Sequence, residues 1–162
     1  MIGARSGYLP AVPRRILAAL VLLLLVAWGV FAYASSGPPD FHTYRVTAVQ
    51  TAQSAHDGLI VTALTATAQL DGRAFAPYVS TMLDDAGESV GEAAARFAAL
   101  SPTDARTVAI RDELAPLLDQ TVTRLGDVRR AEANDDMRAL RTAVAPLRPL
   151  AERLTEFLDR HG

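Results

Sequence analysis

Apolar positions in this chain form one unbroken block followed by four periodic stretches. From Ile16 to Ala34 the run ILAALVLLLLVAWGVFAYA carries no charge over 19 residues. A helix of that length, at about 1.5 Å per residue, nearly matches the roughly 30 Å hydrocarbon core of a bilayer. The apolar core of a signal peptide is shorter, about 7–15 residues. The block therefore predicts a single transmembrane helix over 16–34, with the lipid bilayer as its partner and with Trp28 and Tyr33 in the outer interface. Arg5, Arg14 and Arg15 flank its near end, so the positive-inside rule puts residues 1–15 in the cytoplasm and the C-terminal part outside. Ala32-Tyr33-Ala34 also fits the small-x-small pattern of signal peptidase, and a signal peptide cleaved after residue 34 is the alternative. Gly37-Pro38-Pro39 closes a linker over 35–39, because Pro lacks an N–H and disfavours helix in the residue before it.

Past the linker, 3/4 spacing recurs four times. The first helix is expected over about 40–70, with Val46, Val49, Ile60 and Leu70 as its stripe, widened by Ala48, Ala52, Ala55, Leu59, Ala63 and Ala66. Gln53 and His56 fall in the same stripe. Asp71-Gly72 reads as a turn. The second helix is expected over about 73–100, with Phe75, Val79, Met82, Ala86, Val90, Ala93, Phe97 and Leu100 facing the core. Ser101-Pro102-Thr103-Asp104 reads as an N-cap, a first-turn Pro and an acid at the third helical position. A third helix follows with Ile110, Leu114, Leu117, Leu118, Leu125 and Val128. Asn134-Asp135 is expected to cap a fourth, whose stripe is Met137, Leu140, Val144, Leu147, Ala151, Leu154 and Leu158. The sum is an all-α chain: the membrane helix, then an antiparallel four-helix bundle over 40–162. Pro116 in the third helix and Pro146 and Pro149 in the fourth predict kinks, with the fourth helix kinked rather than broken because its apolar phase runs straight through.

Composition narrows the function classes. Without cysteine there are no disulfides, thiolate metal sites, Cys nucleophiles or c-type haem attachment. All 16 basic residues are Arg, which together with the abundant Ala points to a GC-rich bacterial genome. After residue 39, 13 Arg face 18 acids, leaving a net charge near −5. An acidic domain with no basic cluster is a poor match for nucleic acid, where phosphate neutralisation dominates affinity.

Candidate chemistry is sparse. Gly87-Glu88-Ser89-Val90-Gly91 matches the G-x-S-x-G nucleophile elbow, which requires a strand-to-helix turn. Both flanks here are helical, so the match is read as coincidence. Gly87 and Gly91, four apart, share one helix face and mark a candidate close crossing with another backbone. Asp84, Asp85, Glu88 and Glu92 lack the Glu-x-x-His spacing of a di-iron bundle and read as a solvated face. His56 reads as a hydrogen-bonded residue that sets register. No catalytic, metal or cofactor residues are assigned, and no cofactor is expected. The expectation is a non-enzymatic, single-pass membrane protein with its C-terminal domain outside, binding another protein of the bacterial cell envelope as an interaction or accessory module. A bundle that carries a small lipid or haem is the alternative.

Overall fold

The computed structural model describes residues 40–162. The membrane helix expected at 16–34, Arg5, Arg14, Arg15, Trp28, Tyr33 and the expected 35–39 linker lie outside the described residues. These 123 or so residues are all-helical, with no strand among them: α1 (Phe41–Leu70), α2 (Ala76–Ala98), α3 (Ala105–Ala133), α4 (Met137–Val144) and α5 (Leu147–His161). α4 and α5 together form the fourth rod, and no helix among the described residues is long and apolar enough to cross a membrane.

Each boundary has a local chemical cause. Asp40 caps α1 by accepting from the Thr43 N–H at 2.8 Å. α1 ends in a Schellman motif: Arg73 N–H donates to Ala68 O and Gly72 N–H to Gln69 O, both at 2.9 Å, with Gly72 at φ 66° where a side chain would be strained. α2 begins at Ala76 rather than Arg73, with Phe75 as its N-cap residue and Pro77 in its first turn.

Two expected caps shift. α3 is capped by Asp104, not Ser101: its carboxylate accepts from Thr107 N–H at 2.8 Å while Asp104 N–H donates to Thr107 Oγ1 at 3.0 Å. This reciprocal box satisfies two of the orphan groups of a helix start, which leaves Pro102 outside the helix. The fourth rod is capped by Asp136, whose carboxylate accepts from Arg138 and Ala139 N–H at 3.0 and 2.9 Å. Asn134 and Asp135 instead close α3, with Asp135 in the left-handed region at φ 52° and Asp136 N–H donating to Ala131 O.

The prolines act differently in the two rods. α3 continues through Pro116. The fourth rod is broken, not merely kinked: α4 stops at Val144 and α5 restarts at Leu147. Pro146 cannot donate, so the ladder lapses there. Ala145 and Pro146 nevertheless both stay right-handed, at φ −54° and −80°. The apolar phase therefore survives the break, and Leu140, Leu147, Leu150, Ala151, Leu154 and Phe157 are all buried. Pro149 lies in the first turn of α5, where its missing N–H has no intrahelical partner to lose.

Neighbouring helices run antiparallel. Tyr44 of α1 packs on Phe97 of α2 with ring centroids 5.5 Å apart, whereas Gly58 meets Val90. On the other side, Gln120 of α3 accepts from Arg153 at 2.9 Å and Glu113 lies 2.9 Å from His161 Nε2. α1 and α3 start at the same end, where the Arg106 guanidinium sits 4.1 Å above the Phe41 ring.

The core of α1 departs from expectation only in part: Ala48, Ala52, Ala55, Leu59 and Ala66 are buried as expected. Val46 and Ile60 are exposed, and the buried positions are Tyr44, Ala48, Thr51, Ala52, Ala55, Gly58, Leu59, Thr62 and Ala66. Small residues let the neighbouring helices come close, so the alanine-rich row became the seam and the bulkier row turned aside. On α2, Leu83 is buried and Phe75 is not.

Candidate functional site: an uncovered face of α1

Of the residues singled out for chemistry, Asp85, Glu88, Ser89 and Glu92 share one open patch of α2 without converging as a metal or catalytic group. Ser89 is exposed in the middle of α2, away from any strand-to-helix turn. Asp84 is paired with Arg129 of α3 at 2.6 Å, and Glu92 with Arg96 at 3.1 Å. Among the described residues no three His, Asp or Glu side chains converge as metal ligands.

The glycine pair does not form a tight crossing within the bundle. A Cβ on Gly91 has nothing within 4 Å, and one on Gly87 meets only the Arg129 side chain, from 3.4 Å. The tight approach is at Gly58, where a Cβ would fall on Val90 Cγ2, well inside van der Waals contact. Val90 is β-branched and stiff in a helix, so it has little room to yield. The sequence signal for Gly58 is a single glycine in the middle of a long helix, and no spacing pattern marks it.

Two polar features mark the ends of the bundle. Tyr44 is fully buried and its hydroxyl has no hydrogen-bond partner; burial pushes its ionisation up. At the α3–α4 junction, an open groove of about 610 Å³ is lined by Arg124, Arg130, Arg138 and Asp127. Asp127 pairs with Arg124 at 3.2 Å and Arg130 at 2.6 Å, so much of that charge is already matched.

The outer face of α1 is the more unusual surface. Val46, Val49, Gln53, His56, Ile60, Ala63, Thr67 and Leu70 recur at 3/4 spacing; all but Thr67 belong to the broader stripe expected to face the core. In the fold it forms a second, outward row: Val46, Gln53, Ile60 and Thr67 are exposed, and the other four half-buried. From Val46 to Leu70 the only formal charge is Asp57. That carboxylate is held by its own face, with Gln53 Nε2 donating at 3.0 Å and His56 Nδ1 at 3.2 Å. Beside this row, Leu64 is 67% exposed, and the α1–α2 junction displays Phe75 at 75% and, in the first turn of α2, Tyr78 at 62%. Among the described residues, five of the six exposed large apolar side chains thus lie on α1 or just after it; Val122 of α3 is the sixth. Alternation in the sequence located the row but not which row faces out, because that depends on packing across helices. No protein-family model, curated protein or solved structure matches this chain.

Proposed function

We propose that the chain is a single-pass, membrane-anchored and non-enzymatic helical protein, with residues 40–162 outside the membrane as a protein-interaction or accessory module of the bacterial cell envelope. The anchor rests on the 19 uncharged residues from Ile16 to Ala34 and on Arg5, Arg14 and Arg15 at their near end. The observation that carries the interaction reading is the pair Phe75 and Tyr78, both largely exposed at the α1–α2 turn. That turn lies a full helix, 30 residues or about 45 Å, from Asp40. Exposed aromatics beside an arginine, here Arg73, have the composition of interface anchors. Another envelope protein is the partner this arrangement suits.

Alkaline extraction of membranes with N-terminal sequencing tests the anchor. The chain is expected to stay in the pellet with its first residues intact, and a soluble form starting at Ser35 or Ser36 contradicts it. A photo-crosslinker at Phe75 or Tyr78 in intact cells tests the partner. One envelope protein is expected at both positions, and the crosslink from the Phe75 position is expected to be lost in Tyr78→Ser and that from the Tyr78 position in Phe75→Ser. Failure to crosslink anything above a probe at Glu152 contradicts the reading.

A further inference from the structure

We infer that α4 is a hinged flap: it lifts from α1 and α3 as a unit while α5 stays docked. This does not rest on the anchor or on the Phe75–Tyr78 tip. Both ends of α4 are weak points of the backbone. The helix ladder lapses at Ala145-Pro146, where Pro has no N–H to donate. At the other end Asp135, at φ 52°, turns the chain out of α3 before Asp136 starts α4.

Little holds the segment between these points. Of its eight residues only Leu140 is fully buried, whereas α5, nearly twice as long, buries five. Side-chain bonds divide the same way. α5 is tied to α3 by Arg153 to Gln120 at 2.9 Å, by His161 to Glu113 at 2.9 Å and by Arg160 to Glu113. Among the described residues, no side chain of α4 bonds to another helix; Thr142 Oγ1 donates to Arg138 O of α4 itself. α4 carries two Arg and no acid. Where it meets α3, the open groove of about 610 Å³ runs between them, with Arg138 on one wall and Arg124 and Arg130 on the other. No opposite charge on α4 closes that gap. Few buried side chains and no cross-helix bonds give a segment a low opening free energy, and lids are drawn from such segments. Lifting α4 withdraws Leu140 from the core and opens the seam between α1 and α3 beneath it.

Hydrogen exchange of the full-length chain in detergent, read as protection factors on peptides of α4 and α5, tests the flap. Arg141 to Val144 are expected to be protected about tenfold less, or weaker still, than Leu154 to Leu158. A flap exposes little surface, so low denaturant is expected to leave the α4 rate nearly unchanged while it speeds α5. Pro146→Ala restores a donor at the hinge and is expected to slow α4 several-fold more than α5, with thermal melting confirming the fold. Equal protection of α4 and α5 in the parent overturns the inference. So does an α4 rate that rises with denaturant in step with α5, or a ratio that folded Pro146→Ala leaves unchanged.

Discussion

α1 and α3 are nearly the same length, 30 and 29 residues, and start at the same end of the bundle. Each turns nine residues into the core. Their outer faces are nothing alike. α3 carries ten charged residues, many in pairs such as Arg111–Asp112 at 3.0 Å and the Arg124–Asp127–Arg130 triplet. Exposed pairs of this kind contribute little to stability, about 0–1 kcal/mol, but they keep a surface solvated. α1 beyond Arg45 carries one charge and a second apolar row. Equal inward burial with such unequal outward chemistry separates what holds the fold from what the fold displays.

The sharpest way to break that separation uses adjacent residues. Leu59 is fully buried and Ile60 is exposed. Leu59→Asp places an unpaired charge in the core and is expected to unfold the bundle, as is Leu154→Asp. Ile60→Asp is expected to stay within about 0.5 kcal/mol of the parent. Circular dichroism melts of the three variants decide, and a parent-like Leu59→Asp or an unfolded Ile60→Asp would reverse the assignment of the two rows.

The glycines give the next largest effect. Gly58→Ala presses on Val90 and is expected to cost about 1–3 kcal/mol. Gly91→Ala, in open space, is expected to gain up to about 1 kcal/mol from helix propensity. Opposite signs in thermal melting support the tight approach at Gly58, and a stabilising Gly58→Ala removes it.

Tyr44→Phe sharpens the account of the inner seam. It deletes a buried hydroxyl that has no partner, so a neutral or stabilising change, up to about 1 kcal/mol, is expected in denaturant titration. A clear loss would mean that the hydroxyl is paired in solution.

The smallest effect is at the α3 cap. Thr107 N–H, then Arg106, hold the Asp104 carboxyl below its usual value of 3.8. A carboxyl lowered in the folded state adds stability that is present above the unfolded value and is lost as pH falls through the folded one. The difference in melting temperature between parent and Asp104→Ala is therefore expected to be constant near neutrality and to shrink below pH ~3.8. A difference that grows in acid would contradict the cap.

Where bulky residues recur at 3/4 spacing the sequence was a good guide, and Ile110, Leu114, Leu118, Leu125, Val128, Leu140 and Leu154 are all buried as read. It misled on α1 because two rows there share the same period. Ala48, Ala52, Ala55, Leu59 and Ala66 of the expected stripe are buried, but Val46 and Ile60, favoured by size and hydrophobicity, are exposed, and Tyr44, Thr51, Gly58 and Thr62 fill the seam instead. It misled at Pro146 because an unbroken apolar phase does not require an unbroken hydrogen-bond ladder. At Ser101 it missed the cap because the reciprocal bond between Asp104 and Thr107 depends on the pair, not on either residue. The exposed tip was legible only in part: Phe75 was read as a core position, and its exposure follows from α2 starting at Ala76.

Whether a partner covers the low-charge outer row of α1, as the interaction reading expects, while the charged outer face of α3 stays in water can be measured without knowing the occupant. Ile60→Cys and Val122→Cys, with similar exposure in the isolated fold at 41% and 43%, are labelled with a water-soluble maleimide in intact membranes and again in dilute detergent. The account predicts that Ile60→Cys labels much more slowly in membranes than in detergent, while Val122→Cys labels at one rate in both. Equal, fast labelling of both positions in membranes would contradict it.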